Sequence, residues 1–286
     1  MALPQLDEKE IRYRIFQIND FPPMPISLER LLEVIQNEVA SIKELESIVQ
    51  YDQTLSAKIM RIANSSYYGF RGKISTLARA MVLMGFEEVR SICLCTLLRE
   101  MISGKMPLKA RERETFWKHA LVVGRVAALI SQKRPWISKA EAYTLGLLHD
   151  LGQVIMAAYL SDHYHFILKL SKMRNIPMWC AESAYEVTHT VVGRWLAVKW
   201  GLPEVFQRVL EFHHAPEGAP SYKSEVKMIY LADVLSNSRE YPEFLNDDVT
   251  LFYCSDLCVT EEEWEEYREE LDAIWSEVDQ IWNLLK

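Results

Sequence analysis

The chain has 286 residues, of which 49% are hydrophobic and 25% charged, a mixture that excludes a disordered polymer and suffices for one large domain or two ordinary ones. Its net charge of −8 is unevenly spread: from residue 241 onward 14 acidic residues stand against Arg268 and Lys286, a balance of −12 that leaves +4 on residues 1–240. A mildly basic body with an acidic tail excludes a general nucleic-acid binder, which needs a concentrated cationic face.

In chain order, nearly every segment has helical period. The start, MALPQLDEKEIRYRIF, lacks the basic opening and apolar run of a secretory signal. After the turn Phe21-Pro22-Pro23-Met24-Pro25, the residues Leu28, Leu31, Leu32 and Ile35 recur at spacings of three and four. Ser41 and Glu44 form a capping box before Leu45, Ile48 and Val49. A helix carrying Leu55, Ile59, Ile62 and Ala63 should end near Asn64-Ser65-Ser66. Ser75 is expected to cap the next, which Gly85 closes as a left-handed C-terminal residue. Lys105-Met106-Pro107 breaks the pattern and marks a subdomain boundary, after which longer helices run to about Ser236.

The last segment opens on a second capping box, Thr260 with Glu263. Trp264, Leu271, Val278 and Leu285 then recur every seven residues, as do Tyr267, Ile274 and Ile281. Such a seam can pack on its own domain or pair with a second copy or partner. The most apolar run, Leu121 to Ile130, is broken by Arg125, and nothing approaches the ~20 apolar residues that span a bilayer, so a cytoplasmic protein is expected. The five Cys lack zinc-knuckle spacing and read as reduced thiols.

Seven His occur, and five fall in a suggestive order: His119, His149 beside Asp150, His189, and His213-His214, followed by Asp233. Imidazole and carboxylate are ligands for a divalent transition metal, and ligands from several helices can converge in a bundle core. Each also has a plain structural reading. His119 alone is a common hydrogen-bonded histidine, His213-His214 could cap a helix, and Asp150 before Gly152 could be a turn acid. His163 and His165 are given no role.

The stretch Gly146-Leu147-Leu148-His149-Asp150-Leu151-Gly152 resembles the His-Asp signature of the HD superfamily, and Phe116-Trp117-Lys118-His119 its first ligand segment. The Phe-Pro-Pro-Met-Pro opening, Tyr51-Asp52 through Arg61-Ile62-Ala63-Asn64-Ser65-Ser66-Tyr67-Tyr68-Gly69, Ile74 through Gly85 and His189 through Pro203 resemble the HDOD branch, over about residues 18–240. The resemblance implies an all-α fold: a lead-in at 1–20 and an HDOD domain at 21–240, divided into a helical subdomain (21–105) and an HD-like metal-site subdomain (106–240). A tail with an amphipathic helix follows at 241–286.

By the same resemblance, His119, His149, Asp150, His189, His213, His214 and Asp233 match ligand positions of the HD-GYP pattern, implying one or two divalent ions (Fe, Mn or Zn) and no organic cofactor. One ion would sit on His119, His149, Asp150 and Asp233, a second on His189, His213 and His214, with Asp150 between them. HD enzymes are metal-dependent phosphohydrolases, and HD-GYP members cleave cyclic di-GMP. HDOD proteins are regulatory modules that have generally lost catalysis. Three departures point to the second class. Gln153 stands where active members carry Lys, Ala215-Pro216-Glu217-Gly218 replaces the Gly-Tyr-Pro loop, and Thr115 occupies a usual carboxylate position. Arg194 and Lys199 are the nearest candidate phosphate partners. The expected partners are a signalling protein, a second copy through the C-terminal helix, and a nucleotide ligand, without membrane. A local basic group at Arg99, Lys105, Lys109, Arg111 and Arg113 could dock the acidic tail as a latch.

Overall fold

The computed structural model describes residues 13, 24, 26–36, 41–70, 72–103 and 108–285. The Phe-Pro-Pro-Met-Pro opening (apart from Met24) and the Lys105-Met106-Pro107 break lie outside the described residues. The regular elements among those described are helices, with no strand among them.

Among the described residues, five helices build the first half: α1 (Ile26–Gln36), α2 (Ile42–Val49), α3 (Gln53–Ala63), α4 (Leu77–Met84) and α5 (Phe86–Ser103). Their starts follow from capping chemistry. Ser41 Oγ accepts from Glu44 N at 3.4 Å while Ser41 N donates to Glu44 Oε2 at 2.6 Å. Asp52 accepts from Thr54 N and Leu55 N at the head of α3, which ends at Asn64. Thr76, not Ser75, caps α4, because the Thr76 hydroxyl is the one that meets Arg79 N. Gly85 closes that helix at φ +87°, a value that L side chains rarely adopt.

The second half is built on α6 (Ala110–Ser131) and α7 (Lys139–Leu148), the most extensively packed pair. Then come α8 (Leu151–Tyr159), α9 (Ser161–Arg174), α10 (Met178–Glu182), α11 (His189–Lys199), α12 (Glu204–Phe212), α13 (Lys223–Asn237) and α14 (Asp248–Asp256). One hydrophobic core runs through both halves.

Two close backbone approaches set this half's geometry. A Cβ on Gly146 would lie 2.8 Å from Gly124 Cα, so α6 and α7 meet glycine to glycine. A Cβ on Gly152 would fall 1.8 Å from His189 O and 2.7 Å from Gly193 N, so α8 and α11 can touch only with glycine there. The groups in the way are backbone and cannot rotate aside. Gly152→Ala is therefore expected to cost at least the ~1–3 kcal/mol of an overpacked core, read as a lowered urea midpoint. A midpoint equal to wild type would contradict the helix contact.

The last helix, α15 (Glu261–Leu285), lies along α6, α3 and α13 of its own chain. Trp264, Tyr267, Leu271, Ile274, Val278, Ile281 and Trp282 are buried there, so the heptad seam is covered within the molecule. A dimer through that seam would require the helix to leave its own domain. Its cap is the box read from the sequence: Glu263 N to Thr260 Oγ1 at 3.1 Å and Thr260 N to Glu263 Oε2 at 3.3 Å.

The acidic helix meets cations, but mostly not those of the expected latch. Glu263 pairs with the buried Arg134 at 2.7 Å, Asp279 with Lys118 at 2.9 Å, Glu277 with Arg125 at 3.3 Å and Asp272 with Arg239 at 2.5 Å. Of the described residues in the basic group around residue 105, Arg99 reaches α15, over the Trp282 ring at 5.6 Å. Solvent-facing pairs such as Asp272–Arg239 contribute about 0–1 kcal/mol each, so the apolar seam holds the helix and the charges orient it. No helix among the described residues is long and apolar enough to cross a membrane.

Candidate metal centre

His149 and Asp150 fall between α7 and α8, where one helix ends and the next begins. Asp150 is the residue before α8, yet its side chain makes no capping bond. Its carboxylate instead enters the bundle, at 3% exposure for the residue. His119 comes from the middle of α6, His189 from the first position of α11, and Asp233 from α13. His213 and His214 follow the end of α12. His213 combines both readings of its position: its Nδ1–H donates to Val209 O of the last turn at 2.9 Å while Nε2 points inward.

All seven residues are brought together. The atoms His119, His149 and Asp233 can offer lie within 4.8 Å of one another, as do those of Asp150, His189, His213 and His214. Asp150 joins the two groups. Its Oδ2 is 3.3 Å from His149 Nε2 and 3.7 Å from His119 Nε2, and its Oδ1 is 3.1 Å from His189 Nε2 and 3.6 Å from His213 Nε2. Asp233 reaches both sides as well, 3.1 Å from His119 Nε2 and 3.6 Å from His214 Nδ1.

The outer nitrogens are fixed by the scaffold. His149 Nδ1–H donates to Gly146 O at 2.6 Å, and His119 Nδ1 meets Ser236 Oγ at 3.1 Å. His189 Nδ1–H donates to Glu182, whose other oxygen accepts from His189 N at 3.0 Å. This pattern leaves Nε2 of His119, His149, His189 and His213 directed at the interior, the arrangement that prepares imidazoles for a metal. The donor set fits a cation on a second observation: His149 Nε2 and Asp150 Oδ1 are buried and have no well-aligned hydrogen-bond partner.

The carboxylates and imidazoles also perturb one another's charge. Burial opposes the charged form of each group, but His149 and His189 hold Asp150 well below the usual carboxylate range. His119 does the same, more weakly, for Asp233. Against burial, Glu182 and Asp150 push His189 up to about 10, and Asp150 raises His149. Burial lowers His213 and His214, the latter further through its histidine neighbours, leaving both neutral with lone pairs to donate.

Several contributors were not read from the sequence. Glu182 lies seven residues before His189 in a short apolar helix, and nothing in its local pattern separates it from a surface acid. Trp179 of the same helix stacks on His214 with ring centroids 5.1 Å apart. Gln153 and Asn237 were closer to legible, one turn beyond Asp150 and Asp233; each amide donates to its aspartate, at 2.7 and 2.8 Å. Glu182→Gln is expected to weaken metal affinity about 10–100-fold without unfolding the protein, measured by competition with a chromophoric chelator. Affinity within twofold of wild type would remove Glu182 from the site.

The two histidines given no role, and the candidate phosphate partners, stay outside. His163 donates to Val187 O and His165 to Ser161 O. Thr115 is exposed and bonds to Arg111 O, and Glu114 pairs with Lys118. Arg194 is exposed and pairs with Glu211 at 3.2 Å, and Lys199 is exposed as well. Among the described residues, the Asp150 and Asp233 carboxylates form ion pairs with histidines alone.

A helical bundle with five histidines and two aspartates gathered at its centre has the architecture of the HD class. The family model of the HDOD domain matches residues 21–216, and the chain belongs to the HDOD family. An uncharacterized protein of Treponema pallidum (strain Nichols) is 25% identical over 225 residues, 76% of this chain and 42% of that one. The uncharacterized protein YuxH of Bacillus subtilis (strain 168) is 30% identical over 77 residues, 27% of this chain and 19% of that one. The chain thus spans less than half the length of either relative.

Among solved structures, an HDOD domain protein of unknown function from Geobacter sulfurreducens superposes with a TM-score of 0.77 at 24% identity, covering 96% of this chain and 99% of that one. A Marinobacter aquaeolei VT8 protein, provisionally named for signal transduction, gives 0.80 at 18% identity over 98% of this chain and 66% of that one. A Shewanella amazonensis SB2B protein, provisionally named a phosphohydrolase, gives 0.72 at 18% over 96% and 98%. These likenesses establish the fold.

Proposed function

We propose that this chain is a regulatory HDOD module acting in the cytoplasm through a signalling protein partner, with one or two divalent ions held in its HD half. His119, His149 and Asp233 would hold one ion, His189, His213 and His214 a second, with Asp150 between them. Iron, manganese and zinc all suit a site of imidazole and carboxylate. An ion there would supply Lewis-acid polarisation of a phosphoryl oxygen.

The observation that carries the regulatory reading is what surrounds Asp150. Gln153 donates its amide to Asp150 Oδ2, where active relatives would place a phosphate-pairing cation. His149, Asp150, His189, His213 and Asp233 are each no more than 3% exposed, and Trp179 covers His214. The site is thus suited to holding an ion and poorly suited to gripping a phosphate ester.

The Asp150 bridge supports a second reading, a metal-dependent phosphohydrolase acting on a nucleotide or cyclic dinucleotide. A panel of such substrates with manganese or iron supplied separates the two. No turnover by metal-loaded protein is the expected result. Hydrolysis that His149→Ala abolishes would establish the second reading.

A further inference from the structure

A separate cavity of about 130 Å³ opens where α5, α6, α7 and α15 meet. It has room for about four waters at ~30 Å³ each. Arg90 lines it and is fully buried. Its Nη2 pairs with Glu87, whereas Nε and Nη1 find no acceptor among the described residues. Three of the guanidinium's five N–H donors are therefore unmet in a place where an unmet donor is costly.

The neighbours show what is missing. Arg125, on the same wall, already has Glu88 at 2.6 Å and Glu277 at 3.3 Å, so it needs nothing further. Glu87 and Glu270 lie at the opening, and the exposed Lys139 and Gln132 lie there as well. Glu87 is half-exposed, so solvent screens its hold on Arg90. The Ser91 hydroxyl is already donated to Glu87 O at 2.8 Å, and the Tyr143 ring supports the guanidinium at 6.0 Å.

We propose that this cavity binds a small oxyanion, a phosphate or the phosphate of a small metabolite, on the free edges of Arg90 with Lys139 at the entrance. A buried guanidinium with open donors fits such an anion, because charge-assisted hydrogen bonds meet several donors at once. The site is independent of the histidine cluster, although both use the same two helices. Arg125 follows His119 by six residues on α6, and His149 follows Tyr143 by six along α7, so the two sites stand about 9 Å apart along the bundle.

The test is calorimetric titration of inorganic phosphate into the chelator-treated full chain, against chloride at matched ionic strength. Saturable binding of one phosphate is expected, weakened at least about tenfold by Arg90→Gln and severalfold by Lys139→Gln. Because loss of a buried arginine can prevent folding, Ala128→Leu provides a second variant: it narrows the cavity, keeps the guanidinium and should also abolish binding. A phosphomonoester that binds more tightly than phosphate would identify a metabolite as the source, and equal affinity would identify the free ion. Phosphate that binds no better than chloride would mean that water alone fills the cavity and would overturn the proposal. So would phosphate binding that appears only after metal is restored and survives Arg90→Gln, since that anion would sit at the histidines.

Discussion

Asp150→Asn is expected to leave the purified protein without measurable bound iron, manganese or zinc, where wild-type protein prepared without chelator carries one or two equivalents. Asp150 faces both groups of histidines, with one carboxylate oxygen 3.3 Å from His149 Nε2 and the other 3.1 Å from His189 Nε2. Asp233, which also reaches both sides, lies 3.6 Å from His214 Nδ1 on the second. The amide keeps the volume but loses the anionic oxygens that a hard divalent ion requires. It also leaves His189, which Glu182 and Asp150 together hold up to about 10, without one of its two carboxylates. The substitution should therefore cost stability as well as metal, since one partner of a buried charge pair is gone. Elemental mass spectrometry beside a thermal scan separates the two effects. Full metal content in a folded Asp150→Asn protein would refute the site. Its absence from both proteins would make the cluster a scaffold of mutual hydrogen bonds.

Deleting residues 260–286 is expected to yield no folded monomer. The seven apolar side chains that α15 buries represent a gross term on the order of 10–20 kcal/mol, comparable with the ~5–15 kcal/mol net stability of a whole domain. Ordering the helix offsets part of that, but truncation also strips cover from α3, α6 and α13. It removes the Glu263 partner of buried Arg134 and the Glu277 contact to Tyr67 in the Asn-Ser-Ser-Tyr-Tyr-Gly segment. Soluble expression, circular dichroism and sedimentation would report the loss. A truncated chain that stays monomeric and melts at the wild-type temperature would show that α15 is an appendage, free to serve a partner.

The all-helical class was plain in the sequence because helical period and capping are local. Leu55, Ile59, Ile62 and Ala63 announce one face of α3, and the boxes at Ser41 and Thr260 form as their spacing requires. The one displaced cap, Thr76 for Ser75, is a choice between adjacent hydroxyls that only the backbone's entry angle decides. Taken singly, each of the seven side chains of the candidate site also had a plain structural reading; they were named in advance because they match ligand positions of the family the chain resembles. Glu182 was not, since its importance lies in reaching back to His189 from another helix, a relation without a fixed sequence spacing.

The sequence by itself determined an all-helical class and an apolar seam on the last helix, and it grouped five histidines and two aspartates only through the resemblance of their motifs. It left undecided what that seam packs against, because an apolar stripe is the same whether its cover is its own domain or another chain. Only the tertiary structure laid it on α3, α6 and α13. The structure alone brought Gly152 against His189, directed the Gln153 amide to Asp150, and left Arg90 buried with open donors. Those are contacts between distant parts of the chain, fixed by how helices fit together rather than by the residues beside them.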